Sequence, residues 1–198
     1  MQPRAFESGA LIFNRTELPK GLYRIQSGAA LFQIDGLNGK RLLLKIVREN
    51  ELIGETVAHD GKPAPIAVEA RSRLSTDFIP TSQLLVLRNH FPQIDQGLAA
   101  VVAQNLRAAL AAIEELNLMD LRERTVARLA SLCAESGQSS NAPIRLDLTQ
   151  AEFASMLGAS RQATNSVLGE LEKVGAVKRG FRHLDCTRSL LEDLMTLG

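Results

Sequence analysis

The side chains with the most evident chemistry lie in the segment SRQATNS, residues 160–166. Arg161 can donate two hydrogen bonds to guanine O6 and N7, and Gln162 and Asn165 can pair with adenine N6 and N7. Residues four apart are neighbours on a helix, so Ser166 lies beside Gln162. Nearby hydroxyl and cationic side chains can bond phosphate oxygens; they are Thr149, Ser160, Thr164, Lys178, Arg179 and Arg182.

Helix signals on both sides of this segment predict the element that positions it. Thr149 and Glu152 have the spacing of a capping box, Gly158 can take a positive φ at a turn, and Ser160 can cap the next helix. Ala154 is small enough for two helices to cross closely. The predicted inward side chains are Phe153, Ala154, Leu157, Ala163, Val167, Leu168 and Leu171. The pattern is typical of a helix-turn-helix, and a generic helix pair with a solvated polar face remains the alternative.

The segment VKRGFRH, residues 177–183, predicts a β-hairpin that carries Lys178, Arg179 and Arg182. Residues 161–182 hold five basic and two acidic side chains, although the whole chain has a formal net charge of +1. The local surplus favours a basic wing along a DNA backbone.

A long helix is predicted over residues 94–118, which contain no proline and one glycine near the start. Apolar residues spaced alternately by three and four form a coiled-coil seam; they are Ala99, Val102, Leu106, Ala109, Ile113 and Leu116. A second apolar row beside it consists of Leu98, Val101, Leu110 and Leu118. A single stripe could pack only against the chain's own β-rich part. Two stripes favour a helix that also packs against a twin helix, as a parallel coiled-coil dimer.

Residues 6–80 alternate short apolar segments such as GLYRIQ and RLLLKIV with turn signals such as QSG and DGLNGK. This predicts an all-β domain of the sandwich or barrel type. A short helix is expected between Pro80 and Pro92. Another helix, LRERTVARLASLCAES, follows Asp120 and ends in the polar loop GQSSNAP. The expected fold class is α+β.

This order of elements resembles the cyclic-AMP receptor/FNR (Crp/Fnr) family of bacterial transcription regulators. The best-matching pieces are GLYRIQSG, LIGE, LNLMDLRERTVARL and LTQAEFASMLGASRQATNSVLGELEKVGAV. The resemblance implies a β-roll sensor-like domain of the jelly-roll type over residues 1–93 and a dimerisation helix over 94–119. A hinge near Asp120 and a winged helix-turn-helix over 120–198 would follow. Two such helix-turn-helix domains, one from each chain, would bind in successive major grooves of a pseudo-palindromic site.

By this resemblance, Arg161, Gln162 and Ser166 occupy the family's principal base-contacting positions, with Asn165 alongside. The family often has Glu at the position of Gln162 and Arg at that of Ser166. Glutamate accepts from cytosine N4, whereas glutamine can pair with adenine. We therefore expect a half-site that differs from the usual family sequence.

The effector pocket that the resemblance implies is degenerate in this chain. Gly54 and Glu55 keep the start of the family's phosphate cassette. The Arg-Ser pair that neutralises a cyclic phosphate aligns with Ala64 and Pro65, which offer neither charge nor hydroxyl. The hydroxyl residues that reach the adenine align with Ala109 and Leu110. We expect no response to cyclic AMP, and any other effector is unidentified.

No cofactor or metal is expected. Two cysteines are too few for the four thiolates of an iron–sulfur cluster, and a lone loop histidine such as His59 is usually solvated. Cys133 and Cys186 lie far apart in the sequence without metal-ligand spacing. Two reduced thiols are the favoured interpretation, and a thiol switch is the weaker alternative.

The functional hypothesis is a DNA-binding transcription regulator that acts as a homodimer, with double-stranded DNA as its partner. The resemblance implies an activator that contacts RNA polymerase. The alternatives are a sensor whose DNA binding needs an unidentified small effector, and a ligand-binding protein without DNA binding. HExxH, P-loop and GxGxxG motifs are absent, so no enzyme is expected. No apolar run is long enough to span a bilayer, and the residues after Met1 lack the apolar core of a secretory signal, which favours the cytoplasm.

Overall fold

The computed structural model of the chain describes residues 1–36, 40–137 and 142–196. The predicted loop GQSSNAP lies mostly outside these ranges. The chain divides into two compact units, residues 1–110 and 111–198, and each is described by itself. Within the described ranges, no helix is both long enough and apolar enough to cross a membrane.

Among the described residues, eight strands form the framework of the first unit. They are β1 (Gln2–Phe6), β2 (Leu11–Phe13), β3 (Gly21–Ser27), β4 (Ala30–Asp35), β5 (Arg41–Val47), β6 (Leu52–Ile53), β7 (Ala67–Ala70) and β8 (Leu74–Pro80). They pair antiparallel in two four-stranded sheets of order β1-β8-β3-β6 and β2-β7-β4-β5. Ile25, Ile53, Val68 and Leu74 come from both sheets and are fully buried in one core. The predicted all-β domain is confirmed.

The two glycines that bound GLYRIQSG are required by close backbone contacts. A Cβ at Gly21 would lie 2.1 Å from the carbonyl oxygen of Ile79 on the paired strand β8. Gly28 has a φ of +89°, and a Cβ there would lie 2.3 Å from the carbonyl oxygen of Arg73. Only glycine meets both requirements without strain.

Three helices begin in the first unit: α1 (Glu55–Asp60), α2 (Thr81–His90) and α3 (Gln93–Leu118). Leu84 of α2 and Leu98 of α3 are buried in one cluster with Leu22 of β3. The predicted short helix and long helix are both confirmed, and α3 starts one residue before the predicted bound. Its residues up to 110 belong to the first unit and its last eight to the second. The predicted domain boundaries, after residues 93 and 119, stay predictions.

The second unit contains the remaining elements. They are α4 (Leu121–Glu135), β9 (Ile144–Leu146), α5 (Gln150–Met156), α6 (Arg161–Lys173), β10 (Val177–Arg179), β11 (Leu184–Cys186) and α7 (Arg188–Thr196). The strands form an antiparallel sheet of order β10-β11-β9. Leu129, Phe153, Leu168 and Leu191 bring four helices into one core and have no exposed surface. A capping box at Asp120 starts α4.

Candidate nucleic-acid interface

The first helix of the predicted helix-turn-helix starts as its sequence indicates. Thr149 Oγ1 accepts a hydrogen bond from the amide of Glu152 at 3.1 Å. Glu152 Oε2 accepts one from the amide of Thr149 at 2.6 Å. The capping box therefore satisfies two amides that would lack partners at the start of α5, and this prediction is confirmed.

The turn between α5 and α6 is also local in origin. Gly158 has a φ of +62°, the left-handed conformation that glycine adopts most easily. The amide of Ala159 donates to the carbonyl of Ala154 at 3.1 Å, which closes the end of α5. Ser160 Oγ then accepts from the amide of Ala163 at 3.1 Å and begins α6. Both caps hold α6 at a defined angle to α5.

The two faces of α6 separate as predicted. Arg161, Gln162 and Ser166 are exposed, while the opposite face is buried against α5 and α4. The buried side chains of this small core include Phe153, Ala154, Leu157, Val167, Leu168 and Leu171. Donors and acceptors suited to base edges thus project from a helix whose other face is fixed by packing.

Thr164 corrects one prediction. Its side chain is fully buried, so the predicted phosphate contact by its hydroxyl is wrong. Position 164 lies three and four residues before Val167 and Leu168, and therefore faces the core. The Oγ1 atom of Thr164 has no hydrogen-bond partner among the described residues. Ala163, predicted to face inward, is only half-buried.

Asn165 lies at the edge of the exposed face and is half-buried. Its Oδ1 atom is buried without a partner among the described residues. A bidentate contact to adenine needs both amide atoms, so this side-chain conformation does not provide the predicted contact by Asn165. Arg161, Gln162 and Ser166 remain as predicted base-contacting residues.

The predicted hairpin after α6 is confirmed. Strands β10 and β11 pair antiparallel, and the amide of Gly180 donates to the carbonyl of His183 at 3.0 Å across the tip. A Cβ at Gly180 would lie 2.1 Å from Nε2 of His183, so a larger residue there would require the imidazole to move. Lys178 and Arg182 are exposed. The wing therefore presents two cations to solvent.

Phe181 at the tip of the wing is 90% exposed. Its ring therefore lies almost entirely in solvent, between the exposed Arg182 and the turn glycine Gly180. It was missed because the prediction of a wing rested only on the charges of VKRGFRH. The signal that could have found it is the position of Phe181 between Gly180 and Arg182, in the predicted turn.

Arg179 has a different role from the predicted one. Its Nε and Nη2 atoms donate to Glu172 Oε2 at 2.9 and 2.5 Å, and its amide donates to Glu172 Oε1 at 3.0 Å. The hydrogen bond from the Arg179 amide lowers the pKa of the Glu172 carboxyl, and the hydrogen bond from the Arg179 guanidinium lowers it further. This pair joins the wing to the end of α6 and neutralises the cation. The predicted phosphate contact by Arg179 is replaced by an internal bridge.

We expect Arg179→Ala and Lys178→Ala to have separable effects. Loss of the partly exposed bridge should destabilise the protein by about 1 kcal/mol, seen as a lower thermal midpoint in circular dichroism. Lys178→Ala should leave the midpoint unchanged and reduce the slope of log affinity against log salt by about 2 for the proposed dimer, because each of the two protomers loses one phosphate contact. An unchanged midpoint for Arg179→Ala, with a reduced salt slope, would restore the original assignment.

The predicted seam of α3 is largely exposed in the single chain. Leu106 and Ile113 are 59% and 56% exposed, Leu116 is 37% exposed, Ala99 and Ala109 are exposed, and Val102 is half-buried. The second row divides, because Leu98 is buried and Val101 half-buried, whereas Leu110 and Leu118 are exposed. An apolar row of this length on a surface helix marks a contact site.

Two family models match the chain. The model of the cyclic nucleotide-binding domain matches residues 3–90, and the model of the Crp-like helix-turn-helix domain matches residues 123–192. The first range covers both four-stranded sheets and the second covers the α5–α6 pair and the wing. The chain belongs to the Crp/Fnr family of transcription regulators.

Individual members of the Crp/Fnr family are similar over nearly the whole chain. A CRP-like cAMP-activated global transcriptional regulator from Mycobacterium tuberculosis is 26% identical over 195 residues, which cover 98% of this chain and 85% of the relative. The cyclic AMP receptor protein of Thermus thermophilus is 26% identical over 198 residues, covering 100% and 89%.

Solved structures have the same fold. FixK2 from Bradyrhizobium japonicum has a TM-score of 0.83 at 19% identity, covering 98% of this chain and 96% of that one. A CRP/FNR-family regulator from Thermus thermophilus has a TM-score of 0.76 at 23% identity, covering 98% of both chains. The predicted family, fold class and DNA-binding regulatory function are confirmed.

In this Crp/Fnr regulator the region of the phosphate cassette is closed by its own backbone. Ala64 is buried, and its amide donates to the carbonyl of Glu17 at 2.7 Å. Its carbonyl accepts from the amide of Thr16 at 2.8 Å. Pro65 has no amide hydrogen. The remaining cavity, lined by Gly54, Ala64 and Pro65 among others, measures about 20 Å³, which is room for about one water molecule.

Glu55 at the start of α1 is buried, and its Oε1 atom accepts a hydrogen bond from Asn105 Nδ2 of α3 at 2.9 Å. Thr56 Oγ1 donates to the same atom at 3.3 Å. Burial raises the pKa of the Glu55 carboxyl, and these hydrogen bonds together with Lys45 oppose the rise. Asn105 thus already occupies one acceptor oxygen of Glu55. It was missed because it lies 50 residues away along the chain.

Two predicted members of the pocket lie elsewhere. Ala109 and Leu110 are exposed on α3, and neither lines the cavity beside Glu55. In a single chain these two residues lie outside this cavity, and their assignment to the effector pocket stays a prediction. Ala109 shares the face of α3 that carries Asn105 but lies about 6 Å further along the helix, and Leu110 is rotated about 140° away from Asn105.

Glu55→Gln should raise the thermal midpoint at neutral pH, because the amide keeps the oxygen that Asn105 contacts and carries no buried charge. The folded pKa of Glu55 lies above its usual 4.5. The neutral carboxyl therefore stabilises the folded protein below the usual pKa of 4.5. This contribution is lost as the pH rises through the higher folded pKa. Calorimetry from pH 4 to 8 should show a gain that vanishes at the acid end. The surface variant Glu49→Gln should show no such pH-dependent gain.

Proposed function

We propose that this Crp/Fnr regulator acts as a homodimer on a pseudo-palindromic DNA site, without a cyclic nucleotide. The observation that carries the proposal is the exposed apolar row on α3. Its large members, Leu106, Ile113 and Leu116, repeat at the spacing of a coiled-coil seam. A second copy of the same helix supplies a matching row, because a two-fold interface uses the same patch on both chains.

The two-fold axis determines the form of the DNA site. Each protomer would insert α6 into a major groove, so Arg161, Gln162 and Ser166 would meet the same bases in two inverted half-sites. The half-site centres would lie about one helical turn apart, roughly 34 Å. Lys178 and Arg182 of each wing, together with the hydroxyls of Thr149 and Ser160, would contact phosphates on either side.

Three features of the first unit support independence from cyclic nucleotides. Glu55 already has a partner in Asn105. The amide of Ala64 is already hydrogen-bonded within the chain. Neither Ala64 nor Pro65 carries a positive charge that could bind a phosphate. The relatives from Mycobacterium tuberculosis and Thermus thermophilus are described as cAMP-activated and as a cyclic AMP receptor. We propose that this chain departs from them at the effector step.

The proposal includes activation of transcription through contact with RNA polymerase, which the family resemblance implies. It places the regulator in the cytoplasm, where bacterial DNA lies, and assigns it no enzymatic reaction. Transcription in vitro from a promoter that contains the selected site should rise on addition of the protein alone. A fall in transcript would make the protein a repressor and leave the dimeric DNA-binding proposal intact.

The decisive experiment is selection of bound sequences from random duplexes with purified protein free of nucleotide. We expect an inverted repeat and a steep loss of affinity with salt, because both protomers release counterions. Sedimentation of the same sample should give a dimer.

The other outcomes separate the competing functions. Enrichment only after addition of cyclic AMP would contradict effector independence and leave the dimer standing. Enrichment only after addition of cell extract would indicate a different effector. Failure to bind any duplex at low salt under all conditions would contradict the DNA-binding function.

A further inference from the structure

The tip of the wing carries an apolar side chain in open solvent. Phe181 is 90% exposed, and no large apolar side chain of the described residues is more so. Single exposed apolar residues are common on protein surfaces, so the neighbours of this ring decide its meaning. Lys178 and Arg182 on either side of it in the chain are exposed cations. The wing therefore presents an aromatic ring together with two groups suited to phosphates.

The backbone and side chains of the wing hold Phe181 in this position. The amide of Gly180 donates to the carbonyl of His183 across the turn, and His183 Nδ1 donates to the carbonyl of Phe181 at 2.9 Å. Nε2 of the same imidazole lies 3.5 Å from Oδ2 of Asp185. Arg145 Nε of β9 donates to Asp185 Oδ1 at 2.9 Å. This chain of contacts braces the tip from the sheet, so little freedom of the wing is lost when the ring binds a partner.

The base of the wing is fixed beside α6. Arg179 bonds to Glu172, and its Nη1 atom donates to the carbonyl of Asn165 at 3.5 Å. With α6 in a major groove, as proposed above, the wing would meet the phosphate backbone that borders this groove. Phe181 follows Lys178 by three residues, which span up to about 10 Å of extended chain. That reach would carry the tip past a phosphate bound by Lys178 and into the neighbouring minor groove, which is about 6 Å wide.

We propose that Phe181 inserts into the minor groove beside each half-site and wedges against a base step, while Lys178 and Arg182 bind nearby phosphates. This inference rests on the proposed docking of α6. Apolar wedges of this kind partly unstack the bases that they touch and kink the duplex. Insertion also removes the ring from water, which favours binding.

The wedge adds sequence preference outside the bases that α6 contacts. Pyrimidine–purine steps such as TA and CA unstack and kink most easily. The selected DNA sites should therefore contain such a step at a fixed distance outside each half-site.

Phe181→Ala tests the wedge on the selected duplex. The ring is almost fully exposed, so the variant should keep the thermal midpoint. Affinity should fall by at least about tenfold, because the proposed dimer loses two wedges. The slope of log affinity against log salt should stay unchanged, because phenylalanine neutralises no phosphate. Selection with the variant should recover the half-sites without the flanking step. The control is Phe91→Ala, which removes an exposed ring from the first unit and should bind DNA as the natural chain does.

Phe181→Trp reports the surroundings of the ring directly, because the natural chain contains no tryptophan. The indole should be open to quenching by acrylamide in the free protein and shielded on the selected duplex. A 2-aminopurine base at the flanking step should become brighter as it unstacks. Phe91→Trp should show no shielding on the same DNA.

Several results would overturn the inference and leave the proposed function intact. One is an indole at position 181 that stays equally open to acrylamide on DNA. Another is a Phe181→Ala variant with the affinity and the selected sites of the natural chain. A Phe181→Ala variant that binds DNA normally and loses only its effect on transcription would assign the ring to a protein partner. If the natural chain binds no duplex, the inference and the proposed function fail together.

Discussion

Arg161→Ala is expected to remove most of the preference for the selected DNA site while general DNA binding persists. The guanidinium projects from an exposed position on α6, and a bidentate contact to guanine contributes about 1–3 kcal/mol of discrimination. A dimer makes the contact twice, so the ratio of specific to non-specific affinity should fall by about 30-fold to 10⁴-fold. Fluorescence anisotropy on the selected duplex and on a scrambled duplex, at one salt concentration, measures this ratio.

The matched control is Arg122→Ala, which removes the same charge from an exposed position on α4. It should leave the affinity ratio unchanged. If Arg161→Ala weakens binding to both duplexes equally, Arg161 contacts phosphate and not a base, and the orientation proposed for α6 is wrong.

Ile113→Glu is expected to convert the proposed dimer to a monomer. Ile113 lies in the exposed seam of α3. In the proposed dimer it would lie opposite the same residue of the second chain. The substitution places two carboxylates in a desolvated apolar interface, and unpaired charges there are costly. Sedimentation should show a single chain. Affinity for the full DNA site should fall by at least about a hundredfold, because each helix-turn-helix domain would then bind its half-site without being linked to a second one.

Gln104→Glu is the control, because it adds the same charge on the side of α3 away from the seam. It should remain dimeric and bind DNA normally. A dimeric Ile113→Glu variant would show that the chains pair through another surface, whereas a monomer that keeps full affinity would show that DNA binding does not need the pair.

Features that depend on neighbouring residues could be predicted from the sequence. The capping box at Thr149, the turn at Gly158 and the cap at Ser160 each involve groups within a few residues of one another. The apolar spacing on α3 likewise reports which side chains share a face. From these local features the sequence analysis predicted correctly that Arg161 lies on an exposed helix face.

Features that depend on distant residues could not be predicted. Arg179 carries the charge of a phosphate ligand, yet the hairpin brings it to Glu172. Glu55 finds Asn105 across 50 positions of the chain. Thr164 has the hydroxyl of a phosphate ligand, but its place in the helical repeat turns it into the core. A residue type states what a side chain can do, and long-range packing decides whether it does so.

The apolar seam of α3 also sets how such a regulator would respond to its own abundance. When chains are scarce, the population of pairs grows with the square of the chain concentration. Doubling synthesis would then raise promoter occupancy about fourfold. In the proposed absence of an effector, the concentration of the protein itself would act as the signal, and the hydrophobicity of one helix face would set the concentration at which dimers form.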